Sequence, residues 1–176
     1  MIAGGSYFGM LDLGHGVGAT GTGGYVAAIA PDGTGRWLHA VAGGQVASVA
    51  TSADGTVAAL LLAPSPTDFA GVQVTGWTLA MLDADGTLAW TRGLELAGHP
   101  TSPTLATDGA DIWLAQDDAI SRETVTATAW STDATGVRVL GVGDTLAIEL
   151  TASDGQLALD GRTFDGDGTI IASLVR

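Results

Sequence analysis

The sequence predicts an all-β fold made of repeated antiparallel sheets. Apolar residues occur in short alternating or continuous runs that end at glycine or at Asp-Gly pairs, a pattern typical of strands joined by tight turns. Glycine accounts for 27 of the 176 residues, about twice its average usage of ~7%, which also favours a turn-rich fold. No stretch has the i, i+3, i+4, i+7 spacing of an amphipathic helix, so we expect essentially no helix.

An internal repeat organises the chain. The Asp-Gly pairs at Asp32 and Asp85 are 53 residues apart, and a tryptophan follows each aspartate by five residues. A second pair of markers, Asp54 and Asp108, is 54 residues apart. Because two markers recur with nearly one offset, we predict a single repeat domain over 1–176, with units at 2–55, 56–111 and 112–157 and a partial unit at 158–176.

The expected strands follow in order within these units. The first unit holds strands at 25–30, 36–41 and 46–51 after an initial strand and a long loop, and the second repeats them at 77–82, 87–91 and 104–107. The third unit is shorter, with strands at 124–129 and 137–142, and the tail adds 156–159, 162–164 and 169–175. Asp-Gly between such runs predicts tight hairpins, since glycine, and to a lesser extent aspartate, accepts the positive φ that these turns need.

Four short hairpin-linked strands per unit are the layout of a β-propeller blade. At this repeat length the chain supplies three to four four-stranded antiparallel blades. We therefore expect four compact blades that close on themselves, a partial propeller that is a segment of a larger one, or a propeller completed by self-association, because open sheets must cover their edges.

The first unit also resembles a known repeat, in ten matching residues and in its strand at 25–30. These residues are Gly5, Ser6, Tyr7, Phe8, Gly9, Asp12, Gly14, Asp32, Gly33 and Trp37. Their pattern resembles the repeat of a bacterial β-propeller family found in large surface proteins. The second unit matches the same repeat in the segment TLAMLDADGTLAW. The resemblance implies a bacterial protein located outside the cell or at its surface.

The charge of the chain restricts its partners. Nineteen acidic residues against six arginines give a net charge of −13, which argues against nucleic acid and anionic membranes as partners. The first residues lack the basic and apolar segments of a signal peptide, and the longest apolar run, 57–64, is well below the ~20 residues that span a bilayer. We expect no signal peptide in this chain and no membrane insertion.

Two tryptophans are the candidate ligand-binding residues. Trp37 and Trp90 occupy one repeat position, and an aromatic residue that recurs once per unit ordinarily packs between neighbouring blades. Trp77 and Trp130 do not repeat, and exposed aromatic rings stack on sugars and other ligands. They could therefore bind a carbohydrate.

A weak calcium site is the candidate metal centre. Asp165-x-Asp167-Gly168 and the similar Asp83-x-Asp85-Gly86 each resemble the start of a calcium loop, but neither has the further acidic ligands of a complete one. Plain hairpin turns are the simpler interpretation of both. Calcium is most plausible around Asp160, Asp165 and Asp167, where the acidic balance of the chain would favour it.

No catalytic constellation is evident. The three histidines are not at metal-ligand spacing. Glu123 with Asp117 or Asp118 could be compared with the two carboxylates of a glycosidase, but any acidic β protein contains such pairs by chance. We expect a non-enzymatic binding scaffold without a cofactor, whose ligand is a protein or a carbohydrate. The alternative is a lectin-like carbohydrate-binding module supported by calcium. A quinone-dependent dehydrogenase with tryptophan-marked blades would need more blades than this length supplies.

Overall fold

The structure, a computed structural model, consists of antiparallel β-strands, and none of the residues that it describes is helical. It describes residues 1–96, 103–116, 119–133, 137–142, 145–152, 156–159, 162–165 and 168–175. The chain divides into two compact units, Met1–Leu96 and Ala97–Arg176. The predicted all-β class is confirmed, and the sheets are antiparallel. Four strands per sheet were expected throughout, but the described sheets have three or four strands, apart from one two-stranded hairpin.

The first unit contains two sheets that follow each other along the chain. The first sheet has the order β1 (Ile2–Asp12), β2 (Gly18–Ile29) and β3 (Gly35–Ala42). The second has the order β4 (Gln45–Thr51), β5 (Val57–Phe69), β6 (Val72–Leu82) and β7 (Leu88–Leu94). All neighbouring strands are antiparallel, so each sheet is a simple meander of hairpins.

An apolar core joins these two sheets. Side chains that alternate along β5 face the first sheet and are completely buried, as the period of two along a strand requires; they are Val57, Ala59, Leu61 and Ala63. From the first sheet, Val26 and Val41 pack into the same cluster. The intervening residues Ala58 and Leu60 are also buried, which explains why β5 is a continuous apolar run.

The internal repeat is visible in the strand register of the first unit. Ala28 pairs with Trp37 in the first sheet, and Met81 pairs with Trp90 in the second. Each residue of the second pair is 53 residues after its equivalent in the first pair. A register shift follows directly in both hairpins, after Ala28 and after Met81. The two hairpins are therefore copies that share their irregularity as well as their turn.

The same type of turn closes three hairpins of this unit. In the turn at 30–34, the Gly33 N–H donates to the Ala30 carbonyl (3.0 Å) and the Ala30 N–H donates to the Thr34 carbonyl (2.8 Å), with Gly33 at φ +89°. This is a three-residue hairpin loop, in which a left-handed residue forms a bulge. The turns at 52–56 and 83–87 have the same two bonds.

The role predicted for aspartate in these turns is wrong. Only the glycine has a positive φ, whereas Asp32, Asp54 and Asp85 do not. Each aspartate instead accepts a bond at Oδ1 from the threonine N–H two residues on, at 3.0, 3.0 and 2.9 Å. Aspartate is thus selected for its side-chain acceptor, as in other Asx turns.

The marker at Asp108 is a different turn. Asp108 Oδ1 accepts from the N–H groups of Ala110 and Asp111, and Thr107 Oγ1 accepts from the Gly109 N–H while donating to the Asp111 carbonyl. Its spacing from Asp54 therefore does not reflect a copied turn, although both turns join the first two strands of a sheet.

The second unit continues the meander with different lengths. Its four-stranded sheet has the order β8 (Thr104–Thr107), β9 (Ile112–Gln116), β10 (Ala119–Glu123) and β11 (Thr128–Asp133). A three-stranded sheet follows, with β12 (Val137–Val142), β13 (Thr145–Ala152) and β16 (Gly168–Val175). The hairpin of β14 (Gln156–Leu159) and β15 (Arg162–Asp165) lies between β13 and β16 in sequence. A bond from the Val139 N–H to Thr104 Oγ1 links β12 to β8.

The strand predicted at 124–129 is wrong. The Thr124 N–H donates to the Ala127 carbonyl at 2.9 Å, and the Thr124 hydroxyl bonds both the N–H and the carbonyl of Ala127. The β-branched run there suggested a strand, but the hydroxyl satisfies the backbone locally and makes a turn between β10 and β11. The predicted strands at 137–142, 156–159 and 169–175 are confirmed.

The sheets begin one strand earlier than the predicted repeat units. β4 was placed at the end of the first unit, but it is hydrogen-bonded to β5 and belongs to the second sheet. β8 and β12 likewise open their sheets. Over the described part of the chain, no helix is long and apolar enough to cross a membrane.

We expect Gly86→Ala to destabilise the protein more than Gly33→Ala. Both glycines have φ +89°, which costs an L-residue about 1–2 kcal/mol. A Cβ at Gly33 would meet nothing within 4 Å, but at Gly86 it would lie 2.6 Å from Trp37 Cγ, so the loss there should be about 2–4 kcal/mol. Urea unfolding of the two variants measures the difference. Equal losses would mean that Trp37 does not lie on Gly86.

Candidate interaction surface

The turn carboxylates have structural partners. Bonds from the Thr34 hydroxyl and N–H lower the pKa of Asp32, and bonds from the Ser52 hydroxyl and the Thr56 N–H lower the pKa of Asp54. The bond from the Thr87 N–H lowers the pKa of Asp85. These three carboxylates therefore hold the turns closed as anions, and this use accounts for the motif without a ligand.

Trp37 is a packing residue, as predicted from its repeat position. Its Nε1–H donates to the Ala84 carbonyl (3.3 Å), and its ring covers Gly86, so β3 is seated on the β6–β7 turn of the next sheet. His39 Nε2 lies 2.7 Å from the Gly86 carbonyl oxygen. A carbonyl only accepts, so this nitrogen carries the proton, and the ring is further held between Trp37 and Phe69.

The two candidate stacking tryptophans are not displayed together. Trp77 lies on β6 and is only 7% exposed, because it is part of the buried apolar set of that strand. A ring so deeply buried presents no face to a sugar. Trp130 lies on β11, and its side chain is outside the described residues.

The calcium candidates fall mostly outside the described residues. Asp160 and Asp167 are among the positions that the structure does not describe, and Asp165 ends β15 with its side chain likewise outside. Asp83 and Asp85 belong to the hairpin turn described above. Within the described ranges, no three acidic or histidine side chains are grouped in a way that could hold a metal ion.

The acidic residues near Arg122 have separate partners. Arg122 donates from Nε to Asp111 Oδ2 at 2.7 Å, and its guanidinium lies 6.0 Å from the centre of the Trp113 ring. Glu123 is 3% exposed and accepts from the Thr128 hydroxyl at 2.8 Å. Asp117 and Asp118 are outside the described residues. Glu123 therefore has the contacts of a buried structural carboxylate.

A pocket of about 270 Å³ lies where the turns of the first unit meet. It is lined by Ile2, Ala28, Ile29, Thr51, Ser52, Ala53, Gly55, Ala84, Met1 and Arg36. The Ser52 hydroxyl donates to Asp54 Oδ1 and bonds the Thr56 carbonyl, so it is engaged in closing its turn. The lining thus combines apolar residues of different sizes with Thr51, Ser52 and the exposed Arg36.

Two of the three most exposed large apolar side chains among the described residues lie on one hairpin segment, and the third is Met1. We call residues 8–12 and 18–22 the β1–β2 ribbon, because these parts of β1 and β2 pair with each other but not with β3. Phe8 is 89% exposed and Met10 is 76% exposed. Being two residues apart, they project from the same face, where they lie opposite Thr22 and Thr20.

The ribbon is held at its far end. Gly9 and Gly21 face each other with φ values of +85° and +101°, a conformation open to glycine, and this pair marks an irregular point in the ribbon. The loop that follows contacts the start of β3: the Gly35 N–H donates to the Leu13 carbonyl at 2.7 Å, and Val17 packs on Gly35. Phe8 and Met10 therefore lie on the outer face of an anchored ribbon.

Neither the family models nor the curated proteins compared with this chain gave a match.

The exposed ribbon was not predicted as a site. Phe8 is one of the residues that match the repeat pattern, and that pattern by itself indicates neither exposure nor burial of its side chain. The only available signal was the spacing of Ile2, Phe8 and Met10 on one strand face, and this spacing is equally typical of a buried strand.

We expect the free energy of unfolding to fall as the pH is lowered below about 4, partly through the turn carboxylates. The pKa of Asp54 is lower in the folded protein than its ordinary value of 3.8. The stabilisation that Asp54 contributes is therefore complete above pH 3.8, and it is lost as the pH falls through the pKa of the folded state. Asp54→Asn should therefore reduce the difference between urea unfolding at pH 7 and at pH 3.

Asp83→Asn is the matched control, because it removes the same charge from a turn without touching the Asp-to-threonine bond. If it flattens the pH dependence as much as Asp54→Asn, net charge rather than turn bonding is responsible.

Proposed function

We propose that this protein is a non-enzymatic binding scaffold of β-propeller-type sheets, which recognises a protein partner through the outer face of the β1–β2 ribbon. The blade architecture remains part of this proposal, either as a partial propeller or as one completed by self-association. So does the location outside the cell or at its surface, which comes from the resemblance to bacterial surface repeats.

Several features support the blade interpretation. Successive meander sheets of three to four strands recur along the chain, and a hairpin register is copied at a 53-residue offset. In the first unit the sheets pack face to face through an apolar core, and Trp37 seats one sheet on the turn of the next. Blades of a propeller pack on their neighbours in this manner.

The observation that carries the binding role is the exposure of Phe8 and Met10. A phenylalanine that is 89% exposed next to a methionine that is 76% exposed is costly in water and forms an apolar surface rimmed by threonines. Aromatic residues and methionine are enriched at the centre of protein interfaces. Because the ribbon is anchored at the Gly35 contact, binding would need little ordering of the free protein.

Charge favours a protein partner. With a net charge of −13, the chain repels nucleic acid and anionic lipid, whereas a neutral or basic protein surface is compatible with it. The carbohydrate-binding alternative receives no support from Trp77, whose ring is buried.

Selection from a random peptide library displayed on phage tests the proposal. We expect peptides selected on the full chain to bind about tenfold or more weakly to the double variant Phe8→Ser, Met10→Ser, because the apolar anchors are lost. Val125→Ser is the matched control, since Val125 is 52% exposed but lies in the turn between β10 and β11. Thermal unfolding checks that both variants are folded.

Two results would contradict the proposal. One is the failure to select any saturable peptide. The other is a set of peptides that bind the double variant and the Val125 variant equally well, which would place the interaction surface elsewhere.

A further inference from the structure

The first sheet lacks a strand that the second sheet has. β5 is flanked by β4 on one side and β6 on the other, whereas β1 pairs with β2 alone, and no described strand is hydrogen-bonded to its outer side. The two sheets are related by the 53-residue offset of their hairpins. β1 therefore occupies the place of β5, and none of the described strands takes in the first sheet the place that β4 takes in the second.

The direction of the backbone groups along β1 follows from one pair. The N-terminal ammonium of Met1 donates to the Ile29 carbonyl at 2.9 Å, and the Ile29 N–H donates to the Met1 carbonyl at 2.8 Å, so these two residues form a hydrogen-bonded pair. Such pairs alternate in an antiparallel ladder. The backbone groups of Ile2, Gly4 and Ser6 therefore point away from β2, and we call these three residues the β1 edge.

The register identifies what the β1 edge is equivalent to. Ile2 pairs with Ala28, and the equivalent of Ala28 in the second sheet is Met81, which pairs with Ala58. By the same route, Gly4 corresponds to Leu60 and Ser6 corresponds to Leu62.

In the second sheet, these positions are occupied by a partner strand. Ala58, Leu60 and Leu62 face Ala50, Ser48 and Gln45 of β4, respectively. The β1 edge is thus equivalent to the positions of β5 that are hydrogen-bonded to β4.

The surroundings of the β1 edge suit a strand like β4. The segment 2–10 has no lysine, proline or acidic residue, and these are the usual means of preventing a strand from being extended at its edge. A Cβ at Gly4 would lie 2.6 Å from Val49 and 3.2 Å from Val46, so the adjoining surface is apolar and closely packed. Small uncharged side chains such as the alanines and serine of β4 fit this environment.

We propose that the β1 edge binds an extended, uncharged segment of a partner protein by antiparallel strand addition, and that this segment is rich in small and β-branched residues, as β4 is. This inference rests on the proposed binding function and specifies its partner. The main-chain bonds supply affinity, and the packed surface beside Gly4 selects small side chains, as in other cases of strand addition. Phe8 and Met10 lie next to the β1 edge on the same strand and would extend the contact.

The test uses a fluorescent peptide with the β4 sequence, QVASVAT, and the 176-residue chain. We expect saturable binding by fluorescence anisotropy, and binding about tenfold weaker to Ser6→Pro, because proline removes an outward N–H. The inward ladder to β2 does not use that N–H, so the variant should fold, as thermal unfolding would verify. Ser6→Ala, which alters only the side chain, should bind as the wild type does.

A second peptide makes the test independent of any protein variant. N-methylation of the peptide at alternate residues removes its donors on one edge, and the isomer that loses the donors facing β1 should bind about tenfold more weakly. Absence of saturable binding overturns strand addition, and so does binding that is insensitive to both Ser6→Pro and N-methylation.

Self-association gives a separate outcome. If the wild type dimerises and Ser6→Pro is monomeric in sedimentation, the occupant is a second copy, and the partner proposed here is wrong. The double variant at Phe8 and Met10 should retain most of the β4-peptide binding, because these side chains lie beyond Ser6. Failure of the β4 peptide alone, with the library-selected peptides still sensitive to that double variant, overturns strand addition and leaves the proposed function standing.

Discussion

The bond from a threonine N–H to an aspartate side chain two residues earlier is the interaction on which the first unit depends. It recurs in the turns at 30–34, 52–56 and 83–87, each time with a glycine at positive φ between the two residues. Because the turn fixes where a hairpin is closed, it also fixes which residues of the two strands face each other. The register that buries Val57, Ala59 and Leu61 in the core follows from that closure.

The turns also connect the sheets. The carbonyl groups of Ala84 and Gly86 accept from Trp37 and His39 of the preceding sheet, so the β6–β7 turn closes its own hairpin and supports its neighbour. An acidic, apolar chain can use its carboxylates in this way at little cost, since they remain at the ends of the sheets and in contact with water. Three of the acidic side chains thus take part in the turn structure itself.

Sequence reasoning was most successful where local chemistry decides the structure. The hairpins at Asp32 and Asp85, the equivalence of Trp37 and Trp90, and the absence of helix among the described residues all depend on neighbours in sequence. It failed where the structure depends on a contact between residues distant in sequence, or where a side-chain hydrogen bond to the nearby backbone replaces strand pairing. The assignment of β4 to the second sheet depends on pairing with β5, and the turn at Thr124 depends on one hydroxyl.

The candidate site was less accessible to prediction than the fold. Trp77 was a reasonable ligand residue in the sequence, but its exposure is set by the packing of β6, which no local pattern reveals. That no described strand pairs with the outer side of β1 could not be inferred while β4 was assigned to the first unit. Exposure and missing pairings are properties of the assembled sheets, so they appear only once the tertiary arrangement is known.

The closed turns have a consequence for chemical ageing of the protein. Asp-Gly sequences convert to isoaspartate when the glycine nitrogen attacks the aspartate side-chain carbonyl, which must be uncharged to react readily. At residues 33, 55 and 86 the glycine N–H is engaged with a carbonyl at 2.9 to 3.1 Å, and the preceding carboxylate has a lowered pKa that keeps it ionised. Folding therefore protects three succinimide-prone linkages, and backbone damage at them should accumulate chiefly in unfolded chains.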